Sequence, residues 1–222
     1  FKRSLLALRY NALINKKILC IGDDDLVSVS LGLLLKKLYQ GNDKSKSEIH
    51  VVDIDDRFLN YISEISNNLN LPIKCHKMNL RESMNKELIG KFDCFYTDPP
   101  YTLNGMRLFL SRGIAGLMRR KGLPIFFSFS HKPYDYSYKI MGKLFEMGVS
   151  IHRIIPKFNV YEGASIIGNI GQMIILYTTS YTKMDIKEDE NDEGSLYTRE
   201  VKKTGEQLEL PTQKNIMMTG TN

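Results

Sequence analysis

KILCIGDDDLVSVSLGLLLKKLY, residues 17–39, is the stretch on which the fold turns. Its first six residues form a short apolar run closing on a glycine, the pattern of a buried strand that ends in a turn. Leu26 to Tyr39 then repeat leucine and valine at helical spacing. A strand without polar alternation that feeds directly into a helix is the opening half of a βαβ unit, whose sheet is covered on both faces. The same rhythm continues on either side. Leu5, Leu6, Leu8, Ala12 and Leu13 predict a short helix within residues 1–15. Downstream, EIHVVD (48–53) reads as a second strand, with a helix from Asp56 to about Leu69. Residues 72–78, 92–97 (FDCFYT) and 123–129 (LPIFFSF) read as strands three to five, with helices predicted over 83–89, 103–119 and 136–147.

The rhythm changes after that. Residues 149–156 and 171–179 are two strand-like runs with no helix between them, so the sheet is expected to close on an antiparallel hairpin. The expectation is an α/β domain over 1–182, with a mostly parallel seven-stranded sheet, a C-terminal antiparallel hairpin and helices on both faces. Residues 183–222 carry many charges, few aromatics and no sustained period, and are read as a disordered tail. There is no internal repeat.

Composition narrows the function. Of 222 residues, 42% are hydrophobic and 25% charged, as in an ordinary soluble protein, and no apolar run approaches the roughly 18 residues of a membrane span. Cys20, Cys75 and Cys94 each sit in an apolar run rather than in a metal-ligand spacing, and His50, His76, His131 and His152 are scattered. No metal site is expected, and the cysteines fit a reducing cytoplasm. The net charge of +6 is spread along the chain without an Arg-rich stripe, so solvated surface rather than a nucleic-acid face is the default. The chain opens on Phe1 without a signal peptide, and an upstream segment is expected to be missing.

In an open α/β sheet, ligands bind at the carboxyl ends of the strands, and here those ends are acidic. The first strand ends Gly22-Asp23-Asp24-Asp25, the second Asp53-Ile54-Asp55-Asp56, the fourth Asp98-Pro99-Pro100-Tyr101. Asp53, about 30 residues past the strand-one glycine, can accept hydrogen bonds from both hydroxyls of a ribose. Asp55 is the reserve, since Asp55 and Asp56 equally well cap the following helix. One glycine and three carboxylates at residues 22–25 would repel a phosphate, which disfavours NAD and ATP. Three carboxylates together instead call for a positive ligand, such as a sulfonium or an alkylammonium. One of the three is expected to cap the helix from Leu26, but a cap needs one Asp, not three. In DPPY, two ring-locked residues hold a loop bearing a carboxylate and an aromatic tip, the arrangement used to orient a nucleophilic nitrogen.

GDDDLVSVSL, VVDIDDRFLNYI, FDCFYTDPPYT and LFLSRGIAGL, in this order and spacing, resemble the catalytic domain of the branched-chain polyamine synthases, the N4-bis(aminopropyl)spermidine synthases. The resemblance covers roughly residues 1–180. It implies a Rossmann-like, S-adenosylmethionine-dependent methyltransferase fold and a transferase that moves an aminopropyl group from decarboxylated S-adenosylmethionine, as co-substrate, to a nitrogen of spermidine. It further implies Asp24 as general base or amine-orienting acid, with Asp98 and Tyr101 beside it in the catalytic set. Gly22, Asp23, Asp53, Ile54 and Asn79 fall on the cofactor side, and Asp25, Asp98, Pro99, Pro100 and Tyr101 on the substrate side; Asp23 and Asp98 would hold ammonium groups. Two departures stand out. Asn79 occupies the place of an acid that meets adenine in relatives, and the family's small winged-helix-like N-terminal domain is absent. His131, Tyr134 and 159–169 match no family residue. The expected partner is a small polyamine in the cytoplasm, with no membrane; a homodimer is left open.

Two rival readings accompany it. One is an amino-methyltransferase of the DPPY type that uses S-adenosylmethionine on adenine or cytosine in nucleic acid. Its first motif is usually glycine-rich and receives the methionine carboxylate, which three aspartates would oppose. The other is a domain that keeps the fold without activity, against which the retained acids argue, because uncompensated buried carboxylates are costly.

Overall fold

The structure is a computed structural model and describes residues 1–39, 46–160 and 170–184. A short helix, α1 (Lys2–Arg9), precedes the first strand, β1 (Lys17–Ile21). Then come α2 (Val27–Leu38), β2 (Glu48–Asp53), α3 (Asp56–Leu69), β3 (Ile73–Lys77), β4 (Cys94–Thr97), α4 (Leu103–Gly116), β5 (Pro124–Ser130) and α5 (Tyr134–Glu146). β6 (Val149–Val160) and β7 (Ile170–Thr178) close the chain's regular structure. The seven strands lie in the order β3-β2-β1-β4-β5-β7-β6. All neighbours from β3 to β5 pair in parallel, while β7 runs antiparallel to both β5 and β6. The mostly parallel sheet with a closing hairpin is thus the one read from the sequence.

Strand alternation divides the core between two faces. Leu19, Ile21, Phe95, Ile125, Phe127 and Phe129 pack with Leu110, Ile114 and Leu144 from α4 and α5. Ile18, Cys20, Cys94, Tyr96 and Phe126 face the other way, onto Leu6, Leu31, Leu35, Leu59 and Ile62 from α1 to α3. α4 lies close against β4 because Gly113 has no side chain: a Cβ there would fall 2.3 Å from the Phe95 ring. An alanine at 113 would overpack this contact, a change that costs about 1–3 kcal/mol.

The structure departs from the expected elements at two places. The helix predicted over 83–89 is irregular backbone followed by a turn from residue 86. Asn79 Oδ1 accepts from Arg81 N and Asn85 Oδ1 from Glu87 N, so two Asx turns take the backbone partners that a helix would need. The sixth strand does not stop at Pro156 but continues to Val160. It lies at the sheet edge, where a missing N–H is tolerated, and the register slips between Ile155 and Asn159, with Lys157 at φ 53°. That irregularity carries Asn159 to a position opposite Gly171. Residues 185–222, most of the charged tail, and 161–169 lie outside the described residues; Lys183 N still donates to Met147 O, and Met184 packs on the core.

Candidate functional site

β1 and β4 are adjacent, and from them the chain builds outward in opposite directions, so the crevice at their carboxyl ends is the topological switch point. Gly22 leaves β1 at φ 66°, where a Cβ would come within 2.9 Å of Phe109 Cε1. The chain then tightens: Leu26 N donates to Asp23 O at 3.0 Å and Leu26 itself takes left-handed backbone at φ 54°. That conformation costs a leucine about 1 kcal/mol or more.

Asp23 is 3% exposed and its carboxylate is turned onto the start of α2. It accepts from Val27 N at 2.8 Å and from Ser28 N at 3.1 Å, satisfying the first N–H groups of the helix. Burial pushes this carboxyl up to about 7, against the pull of those backbone donors. The cap expected from one of the three acids is therefore supplied by Asp23, placed inside the fold rather than on its rim.

Asp25 and Asp98 converge on a cation that sequence reasoning had not singled out. Arg3 Nη2, from α1, lies 2.8 Å from Asp25 Oδ2 and 2.9 Å from Asp98 Oδ2. Burial raises the Asp25 carboxyl to about 6; Arg3 lowers it, and the neighbouring Asp98 and Asp24 raise it. Ser128 Oγ donates to Asp98 Oδ2 at 2.9 Å, and Asn159 Nδ2 donates to Ser128 Oγ at 2.6 Å. No local pattern marks Arg3, Ser128 or Asn159; only the fold brings them together.

Asp24 stands exposed in the cleft. Its carboxyl is raised by desolvation and then by the facing charges of Asp98 and Asp53, and among the described residues it makes no ion pair. At the end of β2, Asp53 Oδ1 accepts from Asp55 N at 2.9 Å and Oδ2 from Asp23 N at 3.4 Å, which ties the two loops together. Ile54 beside it is 55% exposed, an apolar surface at the mouth. Asp55 caps α3 and pairs with Arg57 at 2.5 Å, while Asp56 pairs with Lys77. Asn79 is half-buried with its amide oxygen spent on Arg81 N.

After β4, Pro99 is buried and Pro100 O accepts from Thr102 N, whose side chain caps α4. The Tyr101 ring meets Phe129 edge-on at 5.3 Å, and Lys132 Nζ lies over the rings of Tyr101, Phe129 and Tyr136 at 5.4–5.9 Å. Among the described residues there is no group of three or more potential metal ligands, and no helix long and apolar enough to cross a membrane. His131 and Tyr134 are exposed beyond the aromatic cluster.

Strand order, switch-point crevice and acidic strand ends define a Rossmann-like fold of the S-adenosylmethionine-dependent methyltransferase class. Within that class the chain belongs to the branched-chain polyamine synthase family, since residues 1–208 match the branched-chain polyamine synthase A C-terminal domain. An uncharacterised protein of Methanocaldococcus jannaschii is 41% identical over 167 residues, covering 75% of this chain and 40% of that protein. The N(4)-bis(aminopropyl)spermidine synthase of Thermococcus kodakarensis is 35% identical over 151 residues, 66% of this chain and 40% of that enzyme. The chain thus spans 40% of the length of these two relatives. The crystal structure of the Thermus thermophilus branched-chain polyamine synthase, in complex with N4-aminopropylspermidine and 5'-methylthioadenosine, superposes with a TM-score of 0.73. It is 24% identical, over 89% of this chain and 60% of that one.

Proposed function

We propose that this chain is the catalytic domain of an aminopropyltransferase that takes decarboxylated S-adenosylmethionine as co-substrate and spermidine as acceptor. The observation that carries the reading is the position of Asp23. The N-terminus of α2 is where a cofactor's carboxylate or phosphate would dock on free N–H groups. Asp23 already fills it with its own carboxylate. A donor that has lost its carboxyl avoids that conflict, while its sulfonium and the acceptor's ammonium groups are drawn to Asp24, Asp53 and Asp98.

The residues divide the work. Asp53 faces the ribose hydroxyls, and Ile54 gives the base an apolar surface. Asn79 keeps amide donors that could meet the adenine edge, although its oxygen is engaged in the loop. Asp25 and Asp98 hold the acceptor by its ammonium charge, with Pro99 and Pro100 fixing the loop and Tyr101 walling the amine. Asp24 takes the proton from the attacking secondary amine, whose lone pair then forms a bond to the propyl carbon. The carbon–sulfur bond breaks with its electrons going to sulfur, and the product nitrogen is tertiary. Positioning accounts for much of the rate because the sulfonium is already a good leaving group.

Calorimetry with S-adenosylmethionine and its decarboxylated form, followed by mass analysis of spermidine incubated with the latter, tests this. Tighter binding of the decarboxylated donor and a gain of one or two aminopropyl units are expected. Preference for the carboxylated donor together with methylated adenine or cytosine in nucleic acid would replace this reading with a DPPY-type methyltransferase.

A further inference from the structure

Arg3 has no part in the roles above, yet its guanidinium lies at the centre of the acidic mouth. One nitrogen, Nη2, is shared by Asp25 and Asp98 at 2.8 and 2.9 Å and approaches Ser128 Oγ at 3.4 Å. Nε donates to Asn159 Oδ1 at 3.1 Å, and the Tyr96 hydroxyl donates to the Arg3 carbonyl at 3.0 Å, fastening the backbone beneath. These contacts come from the β1–α2 loop, the end of β4, β5 and β6, so four parts of the fold meet on one side chain. With a side-chain exposure of 12%, the pair with Asp98, itself 8% exposed, is well shielded from water and salt. Two carboxylates that accept from a single nitrogen have their separation set by it.

We infer that Arg3 is a positioning residue of the amine site: it fixes Asp25 and Asp98 at the spacing at which they receive the acceptor's ammonium, and Asn159 and Ser128 fix Arg3 and Asp98 in turn. The inference rests on the polyamine reading of the site. An arginine suits the task because its charge is permanent and its planar fork can serve Asn159 through Nε while Nη2 serves the acids; a lysine presents a single point. Each carboxylate has about four acceptor sites, more than a single guanidinium nitrogen can fill. Displacement of Arg3 by substrate is the less economical course, since it would strip partners from Asp25, Asp98, Asn159 and Ser128 together. Arg3 also borders a cavity of about 260 Å³ that Asp25, Ser30, Phe158 and Asn159 help to line, which gives a small guanidinium room to enter once the side chain is removed.

The test compares wild type with R3Q, R3K and R3A by spermidine calorimetry and by ¹³C NMR titration of the aspartate carboxyls. The charged groups facing Asp25 are Arg3, Asp98 and Asp24, so loss of Arg3 moves the Asp25 titration upward. R3Q should weaken spermidine binding by about tenfold or more, the loss of one or more charge-assisted hydrogen bonds. R3K should recover the carboxyl titration better than the affinity, and methylguanidine should restore binding to R3A. Equal or tighter spermidine binding by R3Q would overturn the inference, the tighter case marking Arg3 as an internal competitor. An Asp25 titration that ignores position 3 would do the same. If wild type fails to bind spermidine, the polyamine reading falls, while the carboxyl titrations still decide whether Arg3 governs the pair. Should R3Q not fold, R3K carries both readouts: an affinity and a titration indistinguishable from wild type would sink the idea.

Discussion

Asp23, Asp24 and Asp25 follow β1, and Asp53, Asp55 and Asp56 close β2 and open α3; the two trios carry equal formal charge on neighbouring strands. In each, one acid caps the next helix, a second pairs with a basic side chain and a third is left to the cleft, although in the second trio the capping acid has a basic partner of its own, Arg57. In the first trio the cap is Asp23, the paired acid Asp25 and the remaining one Asp24. In the second these are Asp55, Asp56 and Asp53. The difference is burial. Asp23 titrates near 7 because water is excluded around it, whereas Arg57 and its own N–H hold the solvated Asp55 down at about 2. The same residue type in the same capping role therefore loses part of its contribution as pH rises toward neutrality in one place and gains it as pH rises out of the acid range in the other.

Substitutions at the cleft acids should separate the trios most sharply. With decarboxylated donor and spermidine, D24N is expected to lower kcat by about 10²–10⁴ while circular dichroism stays as in wild type and the melting temperature does not fall, since the facing charges of Asp98 and Asp53 lose a like charge. Retention of full turnover would remove Asp24 from its role. D53A should instead act on donor binding, weakening it by about 1.5–3 kcal/mol in calorimetry. A change confined to spermidine affinity would place the ribose elsewhere.

The capping acids should separate the trios in stability. Removing the helix partner with D23A is expected to cost about 1–2 kcal/mol in urea unfolding. The isosteric D23N asks a different question. Between the unfolded value of 3.8 and the folded value of about 7, the native state holds the Asp23 proton more tightly, so wild-type stability should fall as pH rises across that window and level off above it. D23N should flatten this limb, leaving a shallower fall from Asp24 and Asp25, whose carboxyls are also raised. An unchanged pH profile would mean that the Asp23 carboxyl is not desolvated. The smallest effect is expected from D55A: its contribution is present above about pH 4 and fades as pH falls toward 2, so the melting temperatures of variant and wild type should converge in acid.

Much of the fold was legible because burial on a regular element leaves a period. KILCIG and LPIFFSF are apolar without alternation since both faces of the sheet are covered there, whereas EIHVVD alternates half-buried Glu48 and His50 with buried Ile49 and Val51, and all three runs end within a residue of the strands found. The segment 83–89 misled because its apolar residues suggest a helix while Asn79 and Asn85 draw the backbone into turns. Pro156 misled in the opposite sense, ending a strand on paper that an edge position lets continue. The acidic strand ends were equally plain, as was the prospect that one residue of 23–25 would cap α2.

What the sequence determined by itself was the αβ rhythm, the closing hairpin and the gathering of carboxylates at the carboxyl ends of β1, β2 and β4, since each follows from local pattern and chain order. The tertiary structure alone decided which acid serves the helix, which meets a cation and which faces the crevice. Those choices depend on partners with no local mark: Arg3 reaches Asp98 across 95 positions and Asn159 across 156. Electrostatic pairing is set by distance and shielding in space, and a one-dimensional pattern carries neither.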